Sequence, residues 1–288
     1  MNNIPTLEEA YAKCSHLANT HYENFPVAKM VPKHIRKHVA ALYAFARTAD
    51  DIADENHDTI DADDPIRISQ LRHFESQLEI TDFSALDPKL NWIFIACADT
   101  VKKFNIPLQL FRDLISAFAQ DIEKKRYADF PELIDYCRRS ANPVGRIVLL
   151  LHGFSDDKRF AMSDAICSAL QLANFWQDMS VDKLKNRIYI PQSDWNGATE
   201  AEIFANSANQ KIRDILKFQV ERTRKMFDEG AELPSLLPFP LSLEIRATLA
   251  GGRAILDKIE SQNFDTLSKR PAFNKLDKVK ILIRALLK

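Results

Sequence analysis

The 288-residue sequence predicts an all-α fold on two observations. Only 6 residues are glycine, far below the roughly 7% of an average chain, so the turns that β-rich folds need are scarce. Segment after segment also repeats apolar residues every three or four positions, the period of a helix with one buried face. The chain is long enough to bury a large core, and residues 1–288 are read as one domain.

The elements follow in order. Thr6 and Glu9 form a capping box that opens a helix running toward Asn24, where Pro26 stops it. Pro32 takes the favoured first-turn position of a second helix, which carries Val39, Leu42, Tyr43 and Phe45. His34 and His38, one turn apart beside Arg36 and Lys37, read as a solvated basic face. Asp58 to Pro65 is a polar loop. Ile66–Leu78, Pro88–Phe104 and Pro107–Tyr127 are amphipathic helices, the last with Leu110, Leu114, Phe118 and Ile122 as its core stripe.

Pro131–Gly153 reads as helix with a bend or unwound turn at Pro143 and Gly145, because proline removes a backbone donor and glycine admits close approach. Further helices are predicted over Asp157–Val181, Glu202–Gly230 and Leu241–Glu260, with a turn at Trp195-Asn196-Gly197 and a proline-rich connection over Pro234–Pro240. The last segment, Lys275–Lys288, sets Leu276, Val279, Ile283 and Leu286 on one face and Lys275, Lys278, Lys280 and Arg284 elsewhere. It is either a docked closing helix or a basic membrane-surface helix.

Composition excludes several classes. The 39 basic and 40 acidic side chains leave a net charge of -1, which removes the electrostatic case for nucleic acid. Cys14, Cys97, Cys137 and Cys167 are scattered with no Cys-x-x-Cys pair, so buried reduced thiols are expected. The N-terminus lacks the basic and apolar regions of a signal peptide, and no run of about 18 apolar residues occurs. A cytoplasmic protein without a membrane span is the expectation.

Two acidic stretches carry the chemistry. In Tyr43–Glu55 the acids Asp50, Asp51, Asp54 and Glu55 crowd the end of a helix, with Asp50 and Asp54 one turn apart and Arg47 one turn before Asp51. A solvated helix end explains such a stretch, and so does a hard cation, Mg²⁺ or Ca²⁺, held by oxygen ligands without Cys or His. Downstream, Asn174, Asp178 and Asp182 are spaced one turn apart in a second helix and share a face. Mg²⁺ takes only one or two carboxylates from a protein and completes its shell with water and phosphate oxygens, so two facing ladders suggest a clamp for a diphosphate. Lys183, Lys185 and Arg187 follow at once, where a departing diphosphate would be caught.

In this order Asp50-Asp51-Ile-Ala-Asp54, Asp121-Ile-Glu-Lys-Lys-Arg126-Tyr127, Tyr136-Cys-Arg-Arg-Ser-Ala-Asn-Pro-Val144-Gly145 and Asn174 to Asp182 with Arg187-Ile-Tyr189-Ile-Pro191 resemble the squalene and phytoene synthases. The resemblance implies a single-domain, class I isoprenoid synthase-like helical bundle around a central cavity. It implies two or three Mg²⁺ ions on Asp50, Asp51, Asp54, Asn174, Asp178 and Asp182, with Asp50, Asp54, Asp178, Asp182 and Tyr127 catalytic. Diphosphate and substrate contacts are implied for His21, Asn24, Arg47, Asp121, Arg126, Gly145 and Arg187, although Tyr22 and Asn24 stand where relatives keep serines.

Asn-Phe-Trp-Gln-Asp and Arg-Ser-Ala-Asn-Pro-Val-Gly are most similar to the hydroxysqualene synthases, which convert presqualene diphosphate without a nicotinamide cofactor. Squalene, phytoene or dehydrosqualene synthesis is the alternative, and a non-catalytic assembly factor is the alternative of another class. Gly251-Gly252 stands where many relatives have an aromatic residue. A gap there is expected, able to hold a water. The partner implied is a prenyl diphosphate; the pattern of the last helix leaves a peripheral membrane contact as the alternative to docking, and no oligomeric state follows from the sequence.

Overall fold

A computed structural model describes residues 4–21, 31–54 and 64–287. Among the described residues there are helices and turns and no strand, as the scarcity of glycine and the helical period predict. The chain forms two compact units, Met1–Glu123 with Arg146–Ser155, and Lys124–Gly145 with Asp156–Lys288.

The first unit holds α1 (Leu7–His21), α2 (Arg36–Asp54), α3 (Asp64–Ser76), α4 (Asn91–Phe104) and α5 (Gln109–Glu123). The capping box is present, Glu9 N–H donating to Thr6 Oγ1 at 3.3 Å and Thr6 N–H to Glu9 Oε2 at 2.7 Å. α2 packs on α1, α3, α4 and α5, and its Phe45 meets Phe74 and Phe111 with ring centroids 4.9 Å apart. Phe74 in turn meets Phe94 at 4.9 Å. Such tilted and edge-on pairs add to the stabilisation from burial alone.

Two predicted boundaries move. Pro32–Ile35 is a turn closed by Ile35 N–H on Pro32 O at 3.1 Å, so α2 starts at Arg36. Pro88 lies in the turn before α4, where the Asp87 carbonyl accepts from Leu90 and Asn91. His38 corrects the solvated-face reading. It is fully buried, with Nδ1 2.8 Å from Tyr11 Oη and 2.9 Å from Thr100 Oγ1, and the Tyr11 hydroxyl donates to Asp99 at 2.7 Å. Burial lowers the His38 pKa to about 4, because an imidazolium would lose its water there. His34 lies in the turn before α2 and is exposed.

The second unit holds α6 (Phe130–Ser140), the start of α7 (Asn142–Leu151), α8 (Asp157–Asp182), α9 (Glu200–Ile203), α10 (Gln210–Glu229), α11 (Leu241–Ser261) and α12 (Lys275–Leu287). α8 is its centre and packs on α6, α10 and α11. The buried indole of Trp176 donates to Thr223 Oγ1 at 2.8 Å, and that hydroxyl donates to Gln219 O at 2.8 Å. The predicted bend falls at Ala141, between α6 and α7, which leaves Pro143 in the first turn of α7 where its missing N–H costs nothing.

The helix predicted over Glu202–Gly230 is divided because two residues cap it. Thr199 with Glu202 forms a capping box before α9, and Asn209 Oδ1 accepts from Ile212 N–H at 3.0 Å to open α10. Cys14, Cys97 and Cys137 are buried and Cys167 is half-buried, all as free thiols.

Candidate active site

The first ladder closes α2. Asp50, Asp51 and Asp54 sit in the last turns, where the helix dipole is negative and acids are disfavoured by about 0.3–1 kcal/mol each when exposed. Cations offset this: Arg47 Nη1 lies 3.4 Å from Asp50 Oδ2, Arg47 Nη2 pairs with Asp51, and Arg67 Nη1 donates to Ala53 O at 2.6 Å. Asp51 turns into an open cavity of about 540 Å³ that Thr48, Ile52, His73, Asp87 and Lys89 also line. Asp50 and Asp54 do not line it. The ladder therefore divides, with Asp50 and Asp54 one turn apart on one face and Asp51 on another.

The second ladder closes α8 in the same way. Asn174 is exposed, and Asp178 and Asp182 follow one and two turns later, again at the unfavourable end of a helix. Here the cation comes from 92 residues away: Arg270 Nε donates to Asp178 Oδ1 at 2.5 Å and Nη2 to Oδ2 at 3.3 Å. Asp178 raises the Arg270 pKa further. Next to it Gln177 Nε2 donates to Pro271 O at 2.6 Å, so two consecutive residues of α8 tie down the segment between α11 and α12. Nothing in the spacing of the ladder pointed to Arg270.

Beside this ladder lies an aromatic stack. Phe175 and Tyr189 are parallel with centroids 3.6 Å apart, Tyr127 stacks on Tyr189 at 5.7 Å, and Tyr136 meets Phe175 and Tyr127 at 5.9 Å each. Backbone pairing makes the stack possible. Ile188 N–H donates to Lys125 O at 3.0 Å, Gln192 N–H to Tyr127 O at 2.8 Å and Ser193 N–H to Ala128 O at 3.0 Å. This pairing also corrects the predicted helix over Pro107–Tyr127, which stops at Glu123, because Lys124–Ala128 gives its carbonyls to the returning chain.

Arg126 and Arg187 both adjoin the Lys125–Ile188 pair. Arg126 reaches Glu200 through Nε at 2.9 Å and Nη2 at 3.0 Å, Asn186 through O at 2.5 Å and Oδ1 at 2.9 Å, and Lys125 O at 2.8 Å. All five guanidinium N–H groups are thus engaged. In this arrangement Arg126 anchors the left-handed turn at Asn186 that precedes Arg187. Arg187 shares with Asp182, Lys183, Phe175 and Tyr189 the lining of a cavity of about 10 Å³, room for one water. Glu200, like Arg270, was not singled out by the sequence.

The remaining expected site residues are distributed as follows. Asp121 lies in the last turn of α5 in the first unit, whereas Arg126 and Tyr127 belong to the second. His21 is the last residue of α1, and Asn24 lies outside the described residues. Gly145, at the start of α7, comes close to α8, since a Cβ there would come within 2.4 Å of Ser163 Oγ and 2.5 Å of Cys167 Sγ.

The expected gap at Gly252 is overturned. A Cβ at Gly252 would meet Phe227 at 2.4 Å and Leu170 at 2.8 Å, so an aromatic ring from α10 already fills that space. Open space is found instead at Gly251, where nothing lies within 4 Å. Glu244 is seven residues earlier on α11 and so shares the Gly251 face. Among the described residues its carboxyl has no partner, and burial pushes its pKa up to about 7.

Among the described residues no three His, Cys, Asp or Glu side chains form a metal cage. Hydrated Mg²⁺ needs none, because one or two carboxylates suffice beside water and phosphate oxygens. The pairs Asp50/Asp54 and Asp178/Asp182, with the exposed amide of Asn174, supply such oxygens, and the donor set fits.

Comparison with known proteins identifies the family. The chain is 33% identical over 254 residues to the hydroxysqualene synthase of Rhodopseudomonas palustris, covering 86% of this chain and 82% of that one. It is 30% identical over 295 residues to the chloroplastic phytoene synthase 1 of Solanum lycopersicum, covering 96% and 68%. The crystal structure of the squalene synthase HpnC from Alicyclobacillus acidocaldarius superposes with a TM-score of 0.80 at 38% identity, over 90% of this chain and 95% of that one. The squalene/phytoene synthase family profile matches residues 18–277, and the chain belongs to that family.

Proposed function

We propose that this chain is a single-domain, Mg²⁺-dependent synthase that ionises presqualene diphosphate and releases hydroxysqualene. The observation that carries the reading is the second ladder. Two carboxylates one turn apart end α8 beside the stack of Phe175, Tyr189, Tyr127 and Tyr136. A diphosphate needs the first feature and a carbocation needs the second. The 33% identity to a hydroxysqualene synthase supports the choice of product.

Bound Mg²⁺ would neutralise the charge that builds on the leaving diphosphate. Asp50, Asp51 and Asp54 at the end of α2, and Asn174, Asp178 and Asp182 at the end of α8, would hold the two or three ions. Arg187, with Lys183, would receive the departing anion, while Arg126 fixes the turn that aims Arg187. The C–O bond breaks with its electron pair leaving on the diphosphate, and the cation rearranges against aromatic faces, which attract positive charge. Water then bonds to the cation, and the proton it sheds passes to the Glu244 carboxylate. A carboxyl that titrates near neutrality suits that acceptor role. No nicotinamide enters this sequence.

A second reading is head-to-head condensation of two prenyl diphosphates to a phytoene- or dehydrosqualene-type product by proton loss. The phytoene synthase match over 96% of the chain favours it. Incubation with Mg²⁺ and either presqualene or farnesyl diphosphate, followed by mass spectrometry, separates the two. The expected result is the alcohol from presqualene diphosphate, unchanged by NADPH and reduced in Glu244→Gln and Gly251→Phe. Squalene formed only with NADPH, or a condensed polyene from farnesyl diphosphate, sinks the proposal. No ionisation of either substrate would leave the assembly-factor class.

A further inference from the structure

The last helix is docked with its apolar side outward. Asp277, Ile281 and Ala285, four residues apart, form the stripe of α12 that faces α11. Ala285 is buried, and Lys258 Nζ holds Asp277 Oδ2 at 2.8 Å. This corrects the expectation that docking would bury the Leu276–Leu286 face. Leu276 is 71% exposed, Leu286 67%, Val279 53%, Ile283 48% and Leu282 44%, and on a helical projection they cover the arc opposite the docking stripe. A lone exposed apolar side chain needs no explanation, but five in one arc of a thirteen-residue helix form a contiguous patch.

The charges around the patch identify its partner. Lys280 and Arg284, four apart, run along one edge and Lys278 stands at the other, while Lys275 opens the helix within the arc; all four are exposed. The acid of α12 is Asp277, which Lys258 neutralises. Arg284 lies 3.5 Å from Asp257, an exposed contact that water competes for. An apolar arc bordered on both sides by cations matches the interface of an anionic bilayer, where acyl chains take the leucines and headgroups take the lysines. A second copy of the chain fits less well, because a two-fold pairing of this face sets basic edges against basic edges.

We propose that α12 seats the protein on an anionic lipid surface through Leu276, Val279, Leu282, Ile283 and Leu286, with Lys275, Lys278, Lys280 and Arg284 on the headgroups. Among the described residues no helix is long and apolar enough to cross a membrane, so the contact is peripheral. It stands without the proposed chemistry, since α12 carries no ladder residue.

The test is flotation of the full chain with vesicles of phosphatidylcholine alone or mixed with phosphatidylglycerol. Binding is expected on the mixed vesicles, falling with salt, and weakened about tenfold or more by Lys278→Glu with Lys280→Glu and by Leu276→Glu with Ile283→Glu. These side chains are exposed, so circular dichroism of the variants should match the wild type. Tryptophan emission from Val279→Trp should shift to the blue with mixed vesicles only. Equal flotation of wild type and variants, equal binding to both vesicle types, or no binding at all would overturn the proposal. So would a concentration-dependent dimer that the same substitutions abolish while vesicle binding is absent.

Discussion

The two acidic ladders have the same local chemistry and are neutralised in opposite ways. Asp50 and Asp51 at the end of α2 are met by Arg47, three and four residues earlier on the same helix. Asp178 at the end of α8 is met by Arg270, 92 residues later. An intrahelical cation is fixed by helix formation itself, because residues three and four apart meet whenever the helix forms. A remote cation exists only when the tertiary fold brings it there. The second ladder is therefore coupled to the segment between α11 and α12, whereas Asp50 and Asp51 of the first already meet a cation on their own helix.

The largest expected effect tests whether the ladders nonetheless act as equals. Asp50→Asn and Asp178→Asn should each lower turnover by at least about 100-fold at saturating Mg²⁺, the scale of losing one charge stabiliser in a transition state. Circular dichroism should show the fold intact, since both side chains are partly exposed. Near-normal turnover in either variant would break the symmetry and assign the diphosphate to one ladder alone.

What was legible in the sequence follows the same division. The all-α class, the capping box at Thr6 and both ladders depend on neighbours within a turn, and a period of 3.6 exposes such neighbours directly. Arg126 was identified, but its anchoring contact with Glu200 was not, because the partners are 74 residues apart. The end of α5 was placed four residues late for a related reason, since backbone acceptors at Lys125 and Tyr127 serve donors from Ile188 and Gln192. Gly252 shows a third limit. An aromatic ring was missing at that position in sequence, but Phe227 supplies it in space.

A smaller effect distinguishes the units through pH. His38 in the first unit has its folded pKa depressed from 6.5 to about 4. The unfolded chain then binds the extra proton, so this contribution is complete above pH 6.5 and is lost as pH falls toward 4. Glu244 in the second has its pKa raised from 4.5 to about 7, so its contribution is complete below pH 4.5 and is lost as pH rises through 7. Each shift is worth about 3 kcal/mol at most. Urea unfolding should show Glu244→Gln gaining stability near pH 8 and little near pH 4. His38→Asn loses packing and hydrogen bonds at every pH, but its relative cost should shrink toward pH 4. Parallel pH profiles for both variants would remove the contrast.

The smallest effect is also the most specific to the comparison. Removing either cation should cost little global stability, because both ion pairs are partly exposed and such pairs are worth about 1 kcal/mol or less. Their reach should differ. In Arg270→Gln the segment from Gln262 to Asn274 keeps the Gln177 contact to Pro271 O but loses its grip on Asp178. Its amide hydrogen exchange should rise several-fold, while the helical part of α8 stays protected. In Arg47→Gln the change should stay within the last turn of α2, where Arg67 still caps Ala53. The same two variants also separate the electrostatics. Removal of Arg270 frees Asp178 for metal and should lower the Mg²⁺ concentration needed for half-maximal turnover, whatever it does to the maximal rate. Unchanged exchange over 262–274 together with an unchanged Mg²⁺ requirement would mean that the Arg270–Asp178 pair holds neither the segment nor the ladder, and that both ladders are locally sufficient.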